Sequence, residues 1–324
     1  MDKEEVLYYL KSLETNDLFK KADSARSEFC GNKVFVRGIV EFSNNCIRNC
    51  KYCGIRRDNK NINRYRMTQD EILESVKKID GSGLNSVVLQ SGDDFFYTQK
   101  DICLLLERIK YDYPDMAITL SIGERHLEDY KEFRKSGADR YLLKHETVDN
   151  ELYKFMHPNQ SLSHRLRILN YLRELDYQVG TGFIIGLPFQ KLEDIASDIL
   201  FLEDFQPDMA GIGPFISQQD TPLADAENGS IEISLKTLAL SRIVTRNSHL
   251  PATTALASIE TKNGHVNGLK AGCNVIMISF TPVDYKENYK IYDKRACFEL
   301  EEVKRSIEKA GRVFSGEKGD SLKS

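Results

Sequence analysis

VFVRGIVEFSNNCIRNCKYCGIRRDN, residues 34–59, joins an apolar, β-branched run to a loop carrying Cys46, Cys50 and Cys53 in the spacing C-x3-C-x2-C. Valine and isoleucine favour a pleated strand, and the small polar residues after Phe42 end it. The cysteine loop therefore starts where the first strand stops. Three thiolates this close can each bind one iron of a cubane cluster and leave the fourth iron without a protein ligand.

The same punctuation recurs along the chain. Strand patterns fall at 85–92, 116–123, 139–147, 178–188, 208–217, 250–259 and 274–282. Between them lie patterns with apolar residues three and four apart, such as 100–112, 126–137, 161–175, 191–205, 234–245 and 298–311. The one at 68–83 opens on Thr68 with Glu71 three residues later, a capping box. Repeated strand–helix units force parallel pairing, and eight of them close into a barrel. The expected fold is α/β, a single (β/α)8 TIM-type barrel over 34–312. An N-terminal helical extension (1–33) precedes it and a flexible, polar tail (313–324) follows. An open, doubly wound sheet is the rival architecture. In a barrel the cysteine loop sits on the carboxyl rim, where active sites of that fold are built.

Composition narrows the class. The chain has 324 residues, 41% hydrophobic and 29% charged, with a formal charge of -4. That balance points to no nucleic-acid partner. No apolar run reaches the length of a membrane span and the amphipathic start MDKEEVLYYLKSLE is not a leader, so a cytoplasmic location is expected. Seven cysteines in such a chain suggest metal or thiol chemistry rather than disulfides. Zinc would want a fourth ligand, for which His145 or His157 would have to serve, and no second cysteine pair exists. Cys103 lies in an apolar helix stripe; Cys30, Cys273 and Cys297 have no companion at ligand spacing, so a second cluster is not expected.

The cysteine spacing, with an aromatic residue (Tyr52) before the third cysteine, resembles the radical S-adenosylmethionine superfamily signature. RYRMT (64–68), VVLQSGDD (87–94), TLSIGE (119–124), GADRYLLKHET (137–147), GIGPFISQQDTPLA (211–224), PATTA (251–255) and NVIM (274–277) extend the likeness to the FeFe-hydrogenase maturase family HydE. Methylornithine synthases and biotin synthases are more distant kin, and the likeness covers about residues 30 to 290. It implies a 4Fe-4S cluster on Cys46, Cys50 and Cys53 that reductively cleaves S-adenosylmethionine to a 5'-deoxyadenosyl radical. It also implies a small or organometallic substrate in the barrel, a flavodoxin- or ferredoxin-type electron donor, and a role in hydrogenase cofactor assembly. Tyr52, Ser121, Glu146 and Arg165 would contact S-adenosylmethionine.

Other residues are read from their placement. GTGFIIG (180–186) is not a dinucleotide fingerprint, because Pro188 follows where a helix should start. Arg140 and Lys144 stand four apart on one strand, hence on one face. With Gln90, Thr253 and Thr254 they suggest an anion-accepting cavity beneath the cluster; the bland alternative is that a neighbouring strand pairs with one of the cations. Lys144 stands where the family usually has arginine. Met277 and Tyr289 are further candidates for the cavity wall. Two rival functions stay open: a mutase on an amino acid, like methylornithine synthase, and a non-catalytic iron–sulfur carrier.

Overall fold

The protein is described from a computed structural model covering residues 1–323. Two helices, Lys3–Lys11 and Asn16–Cys30, precede ten strands. These are β1 (Lys33–Ser43), β2 (Ser86–Ser91), β3 (Ala117–Ser121), β4 (Arg140–Leu142), β5 (Gln178–Thr181), β6 (Ile184–Ile185), β7 (Met209–Ala210), β8 (Gly213–Pro214), β9 (Val275–Ser279) and β10 (Val313–Ser315). Parallel pairing runs β9-β1-β2-β3-β4-β5-β7, and the short strands β6 and β8 pair with each other. Single bridges from Met209 to His249 and from Pro251 to Val275 carry the ring across its eighth position. The fold is thus the TIM-type barrel expected from the strand–helix repeat, with one side held by bridges instead of a regular strand.

The alternation of β1 shows how the walls are built. Val34, Val36, Val40 and Phe42 are buried in the main apolar core. The residues between them, Arg37, Ile39 and Glu41, belong to the opposite face, which lines the barrel. Thr68 and Glu71 form the expected capping box at the start of the helix Gln69–Gly81. Among the described residues no helix is long and apolar enough to cross a membrane.

Two expectations need correction. The run 250–259 is not a strand: after the bridge at Pro251 it turns into the helix Thr254–Ile259, because the Thr253 hydroxyl accepts the Leu256 N–H and caps it. Nor are residues 313–323 loose. β10 pairs with the foot of β1, and the residues after it cross the amino-terminal mouth of the barrel. There Arg140 donates to Lys318 O, Gly319 O and Asp320 Oδ1, each at 2.9 Å. Arg37 donates to the same Gly319 carbonyl at 3.2 Å, and the His249 ring meets Asp320 O at 2.9 Å. Buried guanidinium donors need acceptors, and these polar tail residues supply them.

Removing residues 317–323 should cost about 3 kcal/mol, since it leaves buried Arg140 with unmet donors. The thermal midpoint of cluster-free protein should fall by several degrees; an unchanged midpoint would contradict this packing.

Candidate functional site

The loop leaving β1 is anchored before its first cysteine. Ser43 Oγ donates to Asp94 Oδ2 at 2.7 Å, and Asn44 Nδ2 reaches the carbonyls of Asn63 and Asn288, both at 2.8 Å. Arg64 gathers the far side of the loop through Ile55 O at 2.8 Å and Arg56 O at 2.6 Å. Two glycines permit the close passage of other segments. A Cβ at Gly92 would lie 2.3 Å from Asn45 O, and one at Gly54 would lie 1.9 Å from Lys290 O.

The three cysteines are half-buried. Burial, then the nearby Asp93, pushes Cys46 up to about 12; burial also pushes Cys50 up to about 11. Cys53 is raised by burial and by the other two sulfurs. Such thiols hold their protons until a metal ion displaces them from the sulfur. Among the described residues no three of His, Cys, Asp and Glu converge on a single ion site. Thiolates that each bind a different iron of a cubane have no need to converge.

A second segment clasps this loop. Lys51 N–H donates to Met156 O at 2.9 Å, and Tyr52 OH meets His157 Nε2 at 2.9 Å. His157 Nδ1 lies 3.2 Å from Tyr153 O. A carbonyl only accepts, so Nδ1 carries the proton and Tyr52 donates to Nε2. Burial, with Arg165 nearby, lowers His157 to about 3, so the ring is neutral at neutral pH. Gln160 closes the clasp, with Nε2 3.4 Å from Cys50 Sγ.

Behind the cysteines lies an ionic array. Glu124 accepts from Arg165 Nε at 2.9 Å with one oxygen and from Arg48 at 3.1 Å with the other. Arg48 Nε also donates to Asp93 Oδ2 at 2.6 Å. Arg165 further donates to Lys144 O at 2.9 Å and Gln160 Oε1 at 3.1 Å. Those three bonds leave two of the five N–H donors of a guanidinium for a ligand.

Glu146 sits on the same rim with a positive φ of 68°. A side chain there costs about 1–3 kcal/mol, and the backbone is held in place by Gly182 O and Ile184 N. Its Oε2 is 3.1 Å from Lys144 Nζ, yet it is buried without an aligned hydrogen bond. Ser121 ends β3 beside Gln90 of β2, and Gln90 Nε2 donates to Tyr289 OH at 3.2 Å. Thr119, on the inward row of β3, has a buried hydroxyl without a partner. Thr254, Met277 and Arg295 line a cavity of about 10 Å³ beside β9, while the Thr253 hydroxyl accepts the Leu256 N–H at the start of its helix.

Arg140 is the residue the sequence misplaced. It starts β4, whereas Lys144 lies past the strand's other end, about 13 Å further along the strand direction. Arg140 is fully buried at the floor, where Gln178, Ser86 and the tail satisfy it. It does not share a cavity with Lys144, and both cations are ion-paired, Arg140 with Asp320 and Lys144 with Glu146. The sequence reading also passed over Glu41, Arg48, Asp93, Glu124, Gln160 and Arg295. Asp93 and Glu124 lay inside quoted motifs, but nothing in spacing showed that Arg48 would bridge them. Buried Glu41 is bound by Arg295, Thr281 and Ser279. Burial raises its carboxyl, and these partners outweigh that and hold it below the usual carboxylate range.

The arrangement fits a cluster on three thiolates with an amino-acid-like ligand beside it. The unpartnered Glu146 oxygen suits an ammonium or hydroxyls, and the spare Arg165 donors suit a carboxylate. Comparisons agree with this. Residues 40–202 match the family described as the radical SAM superfamily. The FeFe hydrogenase maturase subunit HydE of Thermotoga maritima is 43% identical over 311 residues, 93% of this chain and 88% of that protein. The 3-methylornithine synthase of Methanosarcina acetivorans is 29% identical over 313 residues, 95% of this chain and 87% of that one. The crystal structure of methylornithine synthase (PylB) superposes with a TM-score of 0.86 at 26% identity, covering 97% of this chain and 94% of that one.

Replacing Glu124 with alanine should cost about 2–3 kcal/mol in urea unfolding of the cluster-free protein, because two guanidinium groups lose their shared carboxylate. Arg48 is partly exposed, which keeps the cost at the low end. Glu124→Gln should cost less; equal stability of all three proteins would refute the role given to this array.

Proposed function

We propose, from the premise that the chain belongs to the radical S-adenosylmethionine superfamily and within it to the HydE branch, that it is a radical enzyme of hydrogenase cofactor assembly. The observation that carries this is the 43% identity to HydE along 93% of the chain. Cys46, Cys50 and Cys53 would hold a 4Fe-4S cluster with one iron free of protein. When bound, the cluster would supply the one-electron reduction of S-adenosylmethionine, which breaks the C5'–S bond into methionine and a 5'-deoxyadenosyl radical.

The chain's own residues orient and shield. Arg165 would hold the methionine carboxylate with its spare donors, while Glu146 and Ser121 would take the ammonium or the ribose hydroxyls. Tyr52, fixed by neutral His157, would stand against the cofactor as part of the loop wall. Gln90, Lys144 and Thr254 would face a small or organometallic substrate within the barrel. The substrate role expected of Arg140 is not carried forward, since its donors are consumed at the floor; Thr253 only accepts in capping its helix, so its O–H would still be free to face the substrate. The electron would come from a flavodoxin- or ferredoxin-type protein. Free cysteines suit a reducing, cytoplasmic setting.

One observation favours an amino-acid mutase as the second reading: the methylornithine synthase structure aligns over 97% of the chain. Its sequence relatives stand at 29% identity, well below HydE, so the maturase reading leads.

Anaerobically reconstituted protein, reduced with dithionite in the presence of S-adenosylmethionine, should release 5'-deoxyadenosine. An intact cluster without that product would leave only an iron–sulfur carrier. Glu146→Gln should weaken S-adenosylmethionine binding roughly ten- to a hundredfold and leave the cluster's absorption unchanged. Binding as tight as wild type would remove Glu146 from the site.

A further inference from the structure

Gln160 lies in the turn between the helices Asn150–Met156 and Leu162–Glu174. Its backbone N–H donates to His157 O at 3.1 Å, so the turn itself fixes where the side chain starts. The amide then faces two groups at once. Nε2 is 3.4 Å from Cys50 Sγ, and Oε1 accepts from Arg165 at 3.1 Å. Arginine can only donate, so the oxygen must face Arg165 and the NH2 must face the sulfur. Among the described residues, Cys50 is the one cysteine of the three that receives a side-chain N–H; Cys46 accepts the backbone N–H of Arg48 at 3.4 Å.

We propose that Gln160 is a positioning residue that sets the reduction potential of the cluster, by lending an N–H to the Cys50 thiolate and tying that thiolate to Arg165. The inference rests on the reading of Cys50 as a cluster ligand. A hydrogen bond to a ligating sulfur stabilises the more negative, reduced cluster and so raises its potential. Arg165 pulls on the amide oxygen, polarising the group and making its N–H a better donor. Arg165 is itself held by Glu124 and Lys144 O, so a carboxylate taking its spare donors changes its pull on the amide. The state of the cofactor site thereby reaches the sulfur through two hydrogen bonds.

The test uses the full chain with reconstituted cluster, in an EPR-monitored redox titration of wild type, Gln160→Glu and Gln160→Leu. Gln160→Glu keeps an acceptor for Arg165 but has no N–H for the sulfur and adds negative charge. It should give the most negative potential. Gln160→Leu loses both bonds and should shift in the same direction by less. Each variant should also lose one exchangeable-proton coupling in pulsed EPR, while cluster-free Gln160→Glu, which keeps an acceptor for Arg165, melts close to the wild-type value. Wild-type potentials and proton couplings in both loaded variants would overturn the proposal. A wild-type protein that shows no 4Fe-4S signal would instead overturn the cluster reading itself, and the proposal with it.

Discussion

Charges inside a barrel have lost their water, and each must find a partner or cost several kcal/mol. This constraint orders the molecule from floor to rim. At the floor, Arg37 and Arg140 converge on the Gly319 carbonyl of the tail, and Arg140 also bonds Asp320. Near the carboxyl ends of the strands, Glu41 is met by Arg295 and two hydroxyls. On the rim, Glu124 is shared by Arg48 and Arg165, and Lys144 turns to Glu146. None of these partners is near its mate in sequence except the last, so the pairings also fix which distant segments lie together.

The rim pairs shape the site by leaving some capacity unused. Arg165 spends three donors on protein and keeps two. Glu146 has an ammonium at 3.1 Å but an oxygen without an aligned bond. A site that satisfied every group would have no affinity left for a ligand, and one that left whole charges bare would not stay folded. Here the protein neutralises net charge while leaving directional bonds open. The segment 288–296 adds to this by crossing the mouth: Gly54 donates to Ile291 O, Asp293 to Ser217 O, and Ala296 to Ser258 Oγ.

Much of this was legible in the sequence because it is local. β-branched runs marked the strands, Thr68 and Glu71 marked a helix start, and three cysteines at fixed spacing marked the loop. What escaped was set by contacts across the fold. The period of two placed Arg140 and Lys144 on one face, but period says nothing about height along the barrel, and height decided which one reaches the rim. The tail's serines, lysines and aspartate read as solvated because their partners, Arg140, Gln178 and Asp208, lie more than a hundred residues away. Gln160 sits in a turn without periodicity, and its meeting with Cys50 spans 110 positions.

The lysine at 144 has a physical consequence that follows from the same constraint. An arginine there would present a planar fork, able to bond a neighbouring carboxylate through two parallel N–H groups. Lysine offers a compact charge on a flexible stem. Set 3.1 Å from Glu146, it neutralises the carboxylate without occupying its lone pairs in alignment. The left-handed backbone at Glu146 holds the carboxylate where it is. Position and charge are therefore fixed while the hydrogen-bonding face stays open, and a point charge can swing aside when an incoming ammonium or hydroxyl takes that face.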